Sequence, residues 1–316
     1  MKAKAVPVSQ LDPASPALKY PSRLQIETVH ACNARCTMCV LSKPTPRDRG
    51  IMKESLFRSV VDSLAPYAKK IKKVDLFGMG EPLLDPAIFD RISYMKELGF
   101  HDLAISTNAD LLTKERQQAL LGTGIETVIF SIDGATKKTH EKIRAGTTFE
   151  KVKANCESTI RMRDDQNKST RFILRYIRQA DNKDEWEDFR AFWQERLSPG
   201  KRDQLIAYDV NTMGGSVFTK KELLGDEYDE QVEKLPCHQV YDRLIILIDG
   251  TVPLCCEDVP YATVQMGNVE ERSPMDIFNG KTFGHVRNLH SKQSKNKMLI
   301  CGECTMLYSE KKMQVF

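Results

Sequence analysis

The stretch LQIETVHACNARCTMC, residues 24–39, joins an alternating apolar segment to three cysteines within eight positions. Leu24 to His30 has the two-residue period of a strand, so the cysteines fall in the loop that follows it. The same order recurs along the chain. KESLFRSVVDSLA sets Leu56, Phe57, Val60, Val61 and Leu64 on one helical face, and KKVDLFG reads as the next strand. A helix with Ile88, Phe89, Ile92 and Met95 follows and ends at Gly99, a residue suited to a left-handed cap. DLAISTN precedes a short helix near residues 113–121, and TVIFSID precedes a long helix with Phe149, Val152, Cys156 and Ile160. TRFILRYI precedes a helix with Trp186, Phe189 and Phe192, and QLIAYDV is the sixth strand. Strands alternating with helices predict parallel pairing through right-handed crossovers. The expected fold class is α/β, a partial (β/α)6 barrel over residues 23–211. A doubly wound open sheet is the alternative that periodicity leaves open.

Residues 1–22 read as an N-terminal extension. Past residue 211, NTMGGSVFTKKELLGDEYDEQVEKLP is polar, carries paired glycines and reads as a linker over 212–235. DRLIILIDGTVPLCCED then sets Asp249-Gly250 between two extended runs, the signal of a two-residue hairpin. Residues 236–316 are therefore expected to form a small, β-containing domain rich in cysteine.

Composition narrows the function classes. A chain of 316 residues with 41% hydrophobic content is long enough for one large core and a smaller appended domain. Its longest aliphatic run, Leu244 to Ile248, is about a quarter of the roughly 20 apolar residues that a membrane helix needs. MKAKAVPVSQLDPASP has no apolar stretch behind its lysines, which argues against a secretory signal and for a cytoplasmic protein. A net charge of +4 from 47 basic and 43 acidic residues is too balanced to indicate nucleic acid or a membrane surface. Nine cysteines in a reducing compartment point to metal or redox chemistry.

Cys32, Cys36 and Cys39 sit where parallel α/β folds place their chemistry, at the C-terminal mouth of the strands. Thiolates suit zinc, copper(I) or iron-sulfur clusters, and three thiolates on a four-iron cubane leave one iron open. A zinc site completed by His30 or His101 is the alternative reading of the same loop.

Here the sequence resembles the radical S-adenosylmethionine (SAM) superfamily, whose signature is Cys-x3-Cys-x2-Cys after the first barrel strand. GMGEPLLDP resembles the segment after the second strand, where Gly78, Gly80, Glu81 and nearby backbone would hold the amino group of the cofactor. STNADLL resembles the third-strand segment, with Ser106 and Asn108 near the ribose or methionine moiety. FSIDG and EKIRAG resemble the fourth-strand region, which offers Ser131 for the ribose and Arg144 for the carboxylate. Arg175 in the fifth strand is a second carboxylate candidate, and Met38 takes the position usually given to an aromatic residue over the adenine. Each residue also has a plain reading: Glu81 as a solvated carboxylate, Ser106 and Asn108 as helix caps, Arg144 as a surface arginine. Cys156, on an apolar helix face, reads as a buried structural thiol.

Cys237, Cys255, Cys301 and Cys304 supply four thiols, enough to close a second four-iron cluster without Cys256. Their order and the GNVEERSPMDIFNGKTF segment resemble the SPASM/twitch subgroup. A full SPASM domain carries further cysteines and a second auxiliary cluster. The 12 residues after Cys304 hold no cysteine, so the one-cluster twitch form is expected, with a zinc ribbon as the alternative.

The resemblance implies S-adenosylmethionine and two 4Fe-4S clusters as cofactors, and an external electron donor such as flavodoxin or ferredoxin. It implies reductive cleavage to a 5'-deoxyadenosyl radical that abstracts hydrogen from an unactivated carbon. An auxiliary cluster then takes an electron, giving dehydrogenation, or a thiol returns a hydrogen atom, giving epimerisation. Cys256 is the candidate thiol donor, although a spare cysteine is also commonly just packed. Glu257 and Asp258 beside it are candidates for binding hydroxyl or amino groups or acting as a base. The first-choice substrate is a polar small molecule of sugar, cyclitol or aminoglycoside type. The 31 residues before Cys32 are too few for an independent leader-binding core, which weakens a peptide-modifying reading. A two-cluster electron carrier is the non-enzymatic alternative, one that has no use for GMGEP or an open iron.

Overall fold

The computed structural model describes residues 20–316, so most of the extension expected over 1–22 lies outside the described residues. Six strands run parallel in one sheet: β1 (Arg23–Ile26), β3 (Lys73–Asp75), β4 (Leu103–Thr107), β5 (Thr127–Ser131), β7 (Arg171–Arg178) and β8 (Gln204–Asp209). They are the six segments that the alternating periodicity marks. Two short strands, β2 (Arg35–Cys36) and β6 (Arg144–Ala145), form a separate antiparallel pair at the mouth of the barrel. Crossovers are made by α1 (Glu54–Leu64), α2 (Ile88–Glu97), α3 (Lys114–Gly122), α4 (Lys137–Ile143), α5 (Phe149–Asp165) and α6 (Trp186–Gln194).

Each helix shows its apolar stripe to the sheet. In α1, Phe57, Val60, Val61 and Leu64 are buried, while α2 ends at Gly99 with φ +86°. In α6 the buried residues are Trp186, Phe189 and Trp193, so Trp193 rather than the expected Phe192 completes the inner face. β4 and β5 are buried along their whole length, as strands covered on both faces must be. Alternation sorts their residues: Leu103, Ile105, Val128, Phe130, Phe172 and Leu174 join the core under the helices. Gln25, Asp75, Ser106, Ser131 and Arg175 therefore face the barrel interior.

The C-terminal region completes the sheet at both edges with β9 (Arg243–Ile246) and β12 (Gln314–Val315), giving eight strands in the order β12-β8-β7-β5-β4-β3-β1-β9. β9 pairs parallel with β1, and β12 pairs antiparallel with β8. The expected hairpin is only half formed. The chain does turn at Asp249-Gly250, with Gly250 at φ +81° and Leu247 N–H donating to Thr251 O at 2.9 Å. β9, however, pairs with β1, and β10 (Thr251–Pro253) pairs with β11 (Gln265–Asn268). The turn passes the chain from one sheet to another because the all-buried RLII of β9 finds better cover on the barrel. Within the polar stretch 212–235, Lys220–Leu224 and Glu230–Lys234 are short helices, the first held by a Thr219/Glu222 capping box.

The bottom of the barrel is fixed by a buried ion pair. Arg163 of α5 donates Nη1 to Asp203 Oδ1 at 2.8 Å and Nη2 to Oδ2 at 2.7 Å, and Asp203 also accepts the Phe172 and Ser198 N–H groups. Asp203→Ala leaves the buried guanidinium only the Thr170 carbonyl and the half-exposed Asp164. It is expected to cost about 3 kcal/mol or more in equilibrium urea unfolding. A loss below about 1 kcal/mol, the range of an exposed pair, would contradict this.

Candidate functional site

The chain leaves β1 into the three-cysteine loop, and β2 holds that loop against β6, with Cys36 paired to Arg144. Ala34, Cys36, Met38 and Ile143 are buried together, and Cys32 and Cys39 pack against them. This apolar setting governs the thiols. Burial pushes Cys32 up to about 12 and Cys39 up to about 11, and raises Cys36 as well. A thiolate so desolvated needs nearby positive charge, which a bound iron cluster supplies. Donors are also in place: the Ala34 N–H lies 3.4 Å from Cys32 Sγ, Asn108 Nδ2 lies 3.9 Å from it, and Arg144 Nη1 lies 3.8 Å from Cys36 Sγ. The residues present fit an iron-sulfur group. Of the two histidines offered for zinc, His30 is fully buried with Nδ1 3.0 Å from Glu27 Oε1, and His101 is exposed on the loop before β4. Among the described residues, no three His, Cys, Asp or Glu side chains are grouped to hold a single metal ion.

The GMGEP segment lies flat on the chain that leads into this loop. A Cβ on Gly78 would stand 2.6 Å from Glu27 Cγ, and one on Gly80 would collide with the Val29 and Ala31 carbonyl oxygens. The Glu81 N–H donates to Ala31 O at 2.9 Å. The Glu81 carboxylate is buried and occupied: Oε1 accepts from the Thr107 hydroxyl and the Leu83 N–H, and Oε2 from the Asn108 N–H at 2.8 Å. Burial raises its pKa against those bonds. Glu81 thereby fixes Asn108, whose Nδ2 also donates to Asn33 Oδ1 at 2.9 Å inside the cysteine loop.

The two carboxylate candidates differ in charge balance. Arg144 is buried and paired with Asp133, Nη2 to Oδ2 at 2.7 Å. Arg175 donates Nη2 to Ser106 Oγ at 2.8 Å and to Ser131 Oγ at 2.6 Å. Among the described residues no carboxylate makes an ion pair with Arg175, and its Nε has no partner. Ser106, Ser131 and Arg175 thus converge from β4, β5 and β7 on the inner face with an unneutralised guanidinium.

The second thiol set is gathered elsewhere. Cys237, Cys255, Cys301 and Cys304 line one cavity whose empty space, mouth included, is about 490 Å³. Cys256 does not line it: it packs against the cluster of Ile245, Leu247, Val259 and Ala262, which Met79 also touches. Adjacent cysteines therefore face different sites, and Met79 belongs to the GMGEP segment. Burial pushes Cys237 up to about 12 and Cys301 up to about 11, and raises Cys255 and Cys304 further. Thr212, at the start of the polar stretch, holds the Cys304 turn by donating its hydroxyl to Glu303 O at 2.7 Å and its N–H to the Thr305 hydroxyl at 3.0 Å. The acidic pair beside Cys256 divides as well. Asp258 accepts the N–H groups of Leu254, Thr263 and Val264 and staples its own loop. Glu257 Oε2 has no partner, Oε1 lies 3.5 Å from Cys256 Sγ, and burial raises its pKa to about 7. Cys156 is buried in the core.

Sequence reading missed Glu27, Arg47 and Asp133, and offered His30 as a zinc ligand where the structure has it bonded to Glu27. Glu27 is fully buried, pairs with Arg47 and His30, and accepts the Met79 N–H at 3.5 Å. Arg47 Nη1 also donates to Val259 O at 2.6 Å, so the same group reaches the C-terminal region. The signal for Glu27 was an acidic residue at the end of a strand, between the apolar Ile26 and Val29.

Residues 26–175 match the family profile described as the Radical SAM superfamily, and residues 237–305 match SPASM, an iron-sulfur cluster-binding domain. The chain belongs to the radical SAM superfamily. Among curated relatives of this superfamily chain, the tungsten-containing aldehyde ferredoxin oxidoreductase cofactor-modifying protein of Pyrococcus furiosus is 34% identical over 140 residues, 43% of this chain and 38% of that protein. GTP 3',8-cyclase of Aliarcobacter butzleri is 35% identical over 136 residues, 41% of this chain and 40% of that protein. The matches thus span about two fifths of the relatives' length. The fold is shared with BtrN in complex with AdoMet and 2-DOIA, at TM-score 0.60 and 19% identity over 90% of this chain and 92% of that one. Streptococcus suis SuiB bound to precursor peptide SuiA matches at TM-score 0.64 and 16% identity over 92% of this chain and 71% of that one. Among the described residues no helix is long and apolar enough to cross a membrane.

Gly80→Ala is expected to lift the GMGEP segment off Ala31 and weaken S-adenosylmethionine binding about tenfold or more, one step of roughly 1.4 kcal/mol. Gly122→Ala, with nothing within 4 Å of the added carbon, is the control that should bind normally. Equal affinity of both variants in equilibrium binding would refute the close-approach argument.

Proposed function

We propose that this chain is a radical SAM enzyme that abstracts a hydrogen atom from a carbon of a polar small molecule, of sugar, cyclitol or aminoglycoside type, giving epimerisation or dehydrogenation. When bound, S-adenosylmethionine on the first cluster supplies the 5'-deoxyadenosyl radical that makes such an abstraction feasible. The observation that carries the reading is Arg175, an unpaired guanidinium joined to Ser106 and Ser131 on the barrel's inner face. An electron carrier has no use for it; a cofactor with a carboxylate and ribose hydroxyls does.

The other residues follow from their surroundings. Cys32, Cys36 and Cys39 hold the first cluster, and Met38 covers the adenine. Arg144, already neutralised by Asp133, serves Cys36 more directly than it serves a ligand, so Arg175 is the carboxylate anchor. Gly78 and Gly80 admit the amino end of the cofactor, with Glu81 keeping that loop in place. Cys237, Cys255, Cys301 and Cys304 hold one auxiliary 4Fe-4S cluster. Cys256, half-buried against the apolar cluster that Met79 also touches, is the candidate donor of a hydrogen atom from the side of the C-terminal region. The small-molecule reading is supported by the match to BtrN with its ligands AdoMet and 2-DOIA, which covers 92% of that chain. The match to SuiB with its precursor peptide covers 71% of that chain and supports a peptide substrate as the second reading. An electron donor of flavodoxin or ferredoxin type completes the scheme.

Anaerobically reconstituted protein should hold about eight irons, four for each cubane. Arg175→Ala should keep that iron yet weaken S-adenosylmethionine binding about tenfold to hundredfold, the roughly 1.5–3 kcal/mol of a hydrogen bond to a charged group. Unchanged affinity in calorimetry would remove Arg175 from the cofactor site.

The fate of the substrate radical is read in heavy water. If Cys256 quenches it, the exchangeable thiol places solvent deuterium on the product carbon, and Cys256→Ala still cleaves cofactor but loses normal product. If the electron leaves through the auxiliary cluster, the product carbon carries no solvent deuterium and Cys256→Ala turns over nearly normally. Deuterium-free product from Cys256→Ala at the wild-type rate would eliminate the epimerase reading.

A further inference from the structure

Besides Gln239 and the acidic Glu257, the cavity formed by the four C-terminal thiols is lined by two basic side chains that thiolate ligation does not require. His290, on the helix Lys281–Ser291, is 1% exposed, and its ring spans two of the cysteines. Its Nδ1 accepts the Cys237 backbone N–H at 3.1 Å, so the ring proton resides on Nε2, which stands 3.8 Å from Cys301 Sγ. Lys295 lines the same cavity at 7% exposure, and among the described residues no carboxylate makes an ion pair with it. Its ammonium favours negative charge on the sulfurs of both Cys237 and Cys301. A buried lysine without a counter-ion is costly unless the site it faces is itself negative. Thiolate-bound clusters are, and they become more so by one charge on reduction.

We propose that His290 and Lys295 raise the reduction potential of the auxiliary cluster, His290 by an Nε2–H···Sγ bond to Cys301 and Lys295 by its charge. The inference rests on the reading of Cys237, Cys255, Cys301 and Cys304 as cluster ligands. Hydrogen bonds to cluster sulfur and local charge set the potentials of such centres, and both stabilise the state with the added electron. The pair therefore favours the dehydrogenation branch. One electron passes from the substrate carbon radical to the oxidised cluster, one proton leaves the substrate for solvent, and an external one-electron acceptor protein reoxidises the cluster. Both side chains are positioning residues: they act through the cluster and need touch no substrate.

The test is a redox titration followed by electron paramagnetic resonance. It uses the full chain with Cys32, Cys36 and Cys39 replaced by alanine, so that only the auxiliary cluster is seen. His290→Asn keeps an acceptor for the Cys237 N–H and removes the donor to Cys301, while His290→Gln places an amide N–H near the lost Nε2. The midpoint potential is expected to shift down in His290→Asn, to recover in His290→Gln, and to shift down separately in Lys295→Gln, with iron retained throughout. Retained iron with an unchanged potential in His290→Asn and Lys295→Gln overturns this inference and leaves the cluster reading intact. A parent that binds no iron overturns both. If His290→Asn itself loses iron, the unsubstituted His290 form in heavy water decides. With ¹⁵N-labelled histidine, its reduced cluster must couple to an exchangeable deuteron and to a histidine nitrogen, and absence of both couplings refutes the bond.

Discussion

The mouth of this barrel is organised around one buried charge. Glu27, at the end of β1, has no exposure to solvent, and its backbone N–H is already given to Ile246 O in β9 at 2.9 Å. Burial by itself would raise its pKa, but the His30 and Arg47 partners outweigh that and hold it below the ordinary value. The carboxylate therefore stays ionised and obliges its neighbours to stay close. Met79 of the GMGEP segment lies on one side, and Arg47, which reaches on to the Val259 carbonyl, lies on the other. Cofactor loop, cysteine loop and C-terminal region meet at this residue.

Around that point the chain separates two sulfur sites with very little sequence. Cys255 and Cys256 follow β10 in succession, yet one lines the four-thiol cavity and the other packs against Ile245, Leu247, Val259 and Ala262. Cys255 opens a turn, its carbonyl accepting the Asp258 N–H at 3.1 Å, so the chain changes direction there and a single peptide unit divides the two environments. Asp258 makes this possible by tying the N–H groups of Leu254, Thr263 and Val264 into one loop, which leaves Glu257 as the acidic group free of such duty.

The parallel strands were legible because each is a short apolar alternation bounded by helix, and each pairs with a neighbour one crossover away. β9 was visible as an extended run, but its place beside β1 was not, since the pairing of Leu244 with Leu24 spans over two hundred residues. Asp249-Gly250 announced a turn and said nothing about which sheet each arm would join. The thiol spacings were readable as local chemistry. The ion pairing of Arg144 and the lack of it at Arg175 were not, because what separates them is Asp133, a residue that in sequence is merely one acid in a strand-end motif. His290 carried no signal at all: its role depends on a backbone N–H 53 positions away.

Both edges of the sheet are closed by residues made late. The free side of β1 is covered by Arg243–Ile246 and the free side of β8 by Gln314–Val315. During synthesis the six parallel strands emerge first, with their outer N–H and C=O groups bare, a state that invites pairing with another nascent chain. Until Arg243–Ile246 has been made the barrel lacks its cover on β1, and until Gln314–Val315 has been made it lacks its cover on β8. Order of translation thus places the most association-prone interval of this molecule before the four-thiol cavity exists.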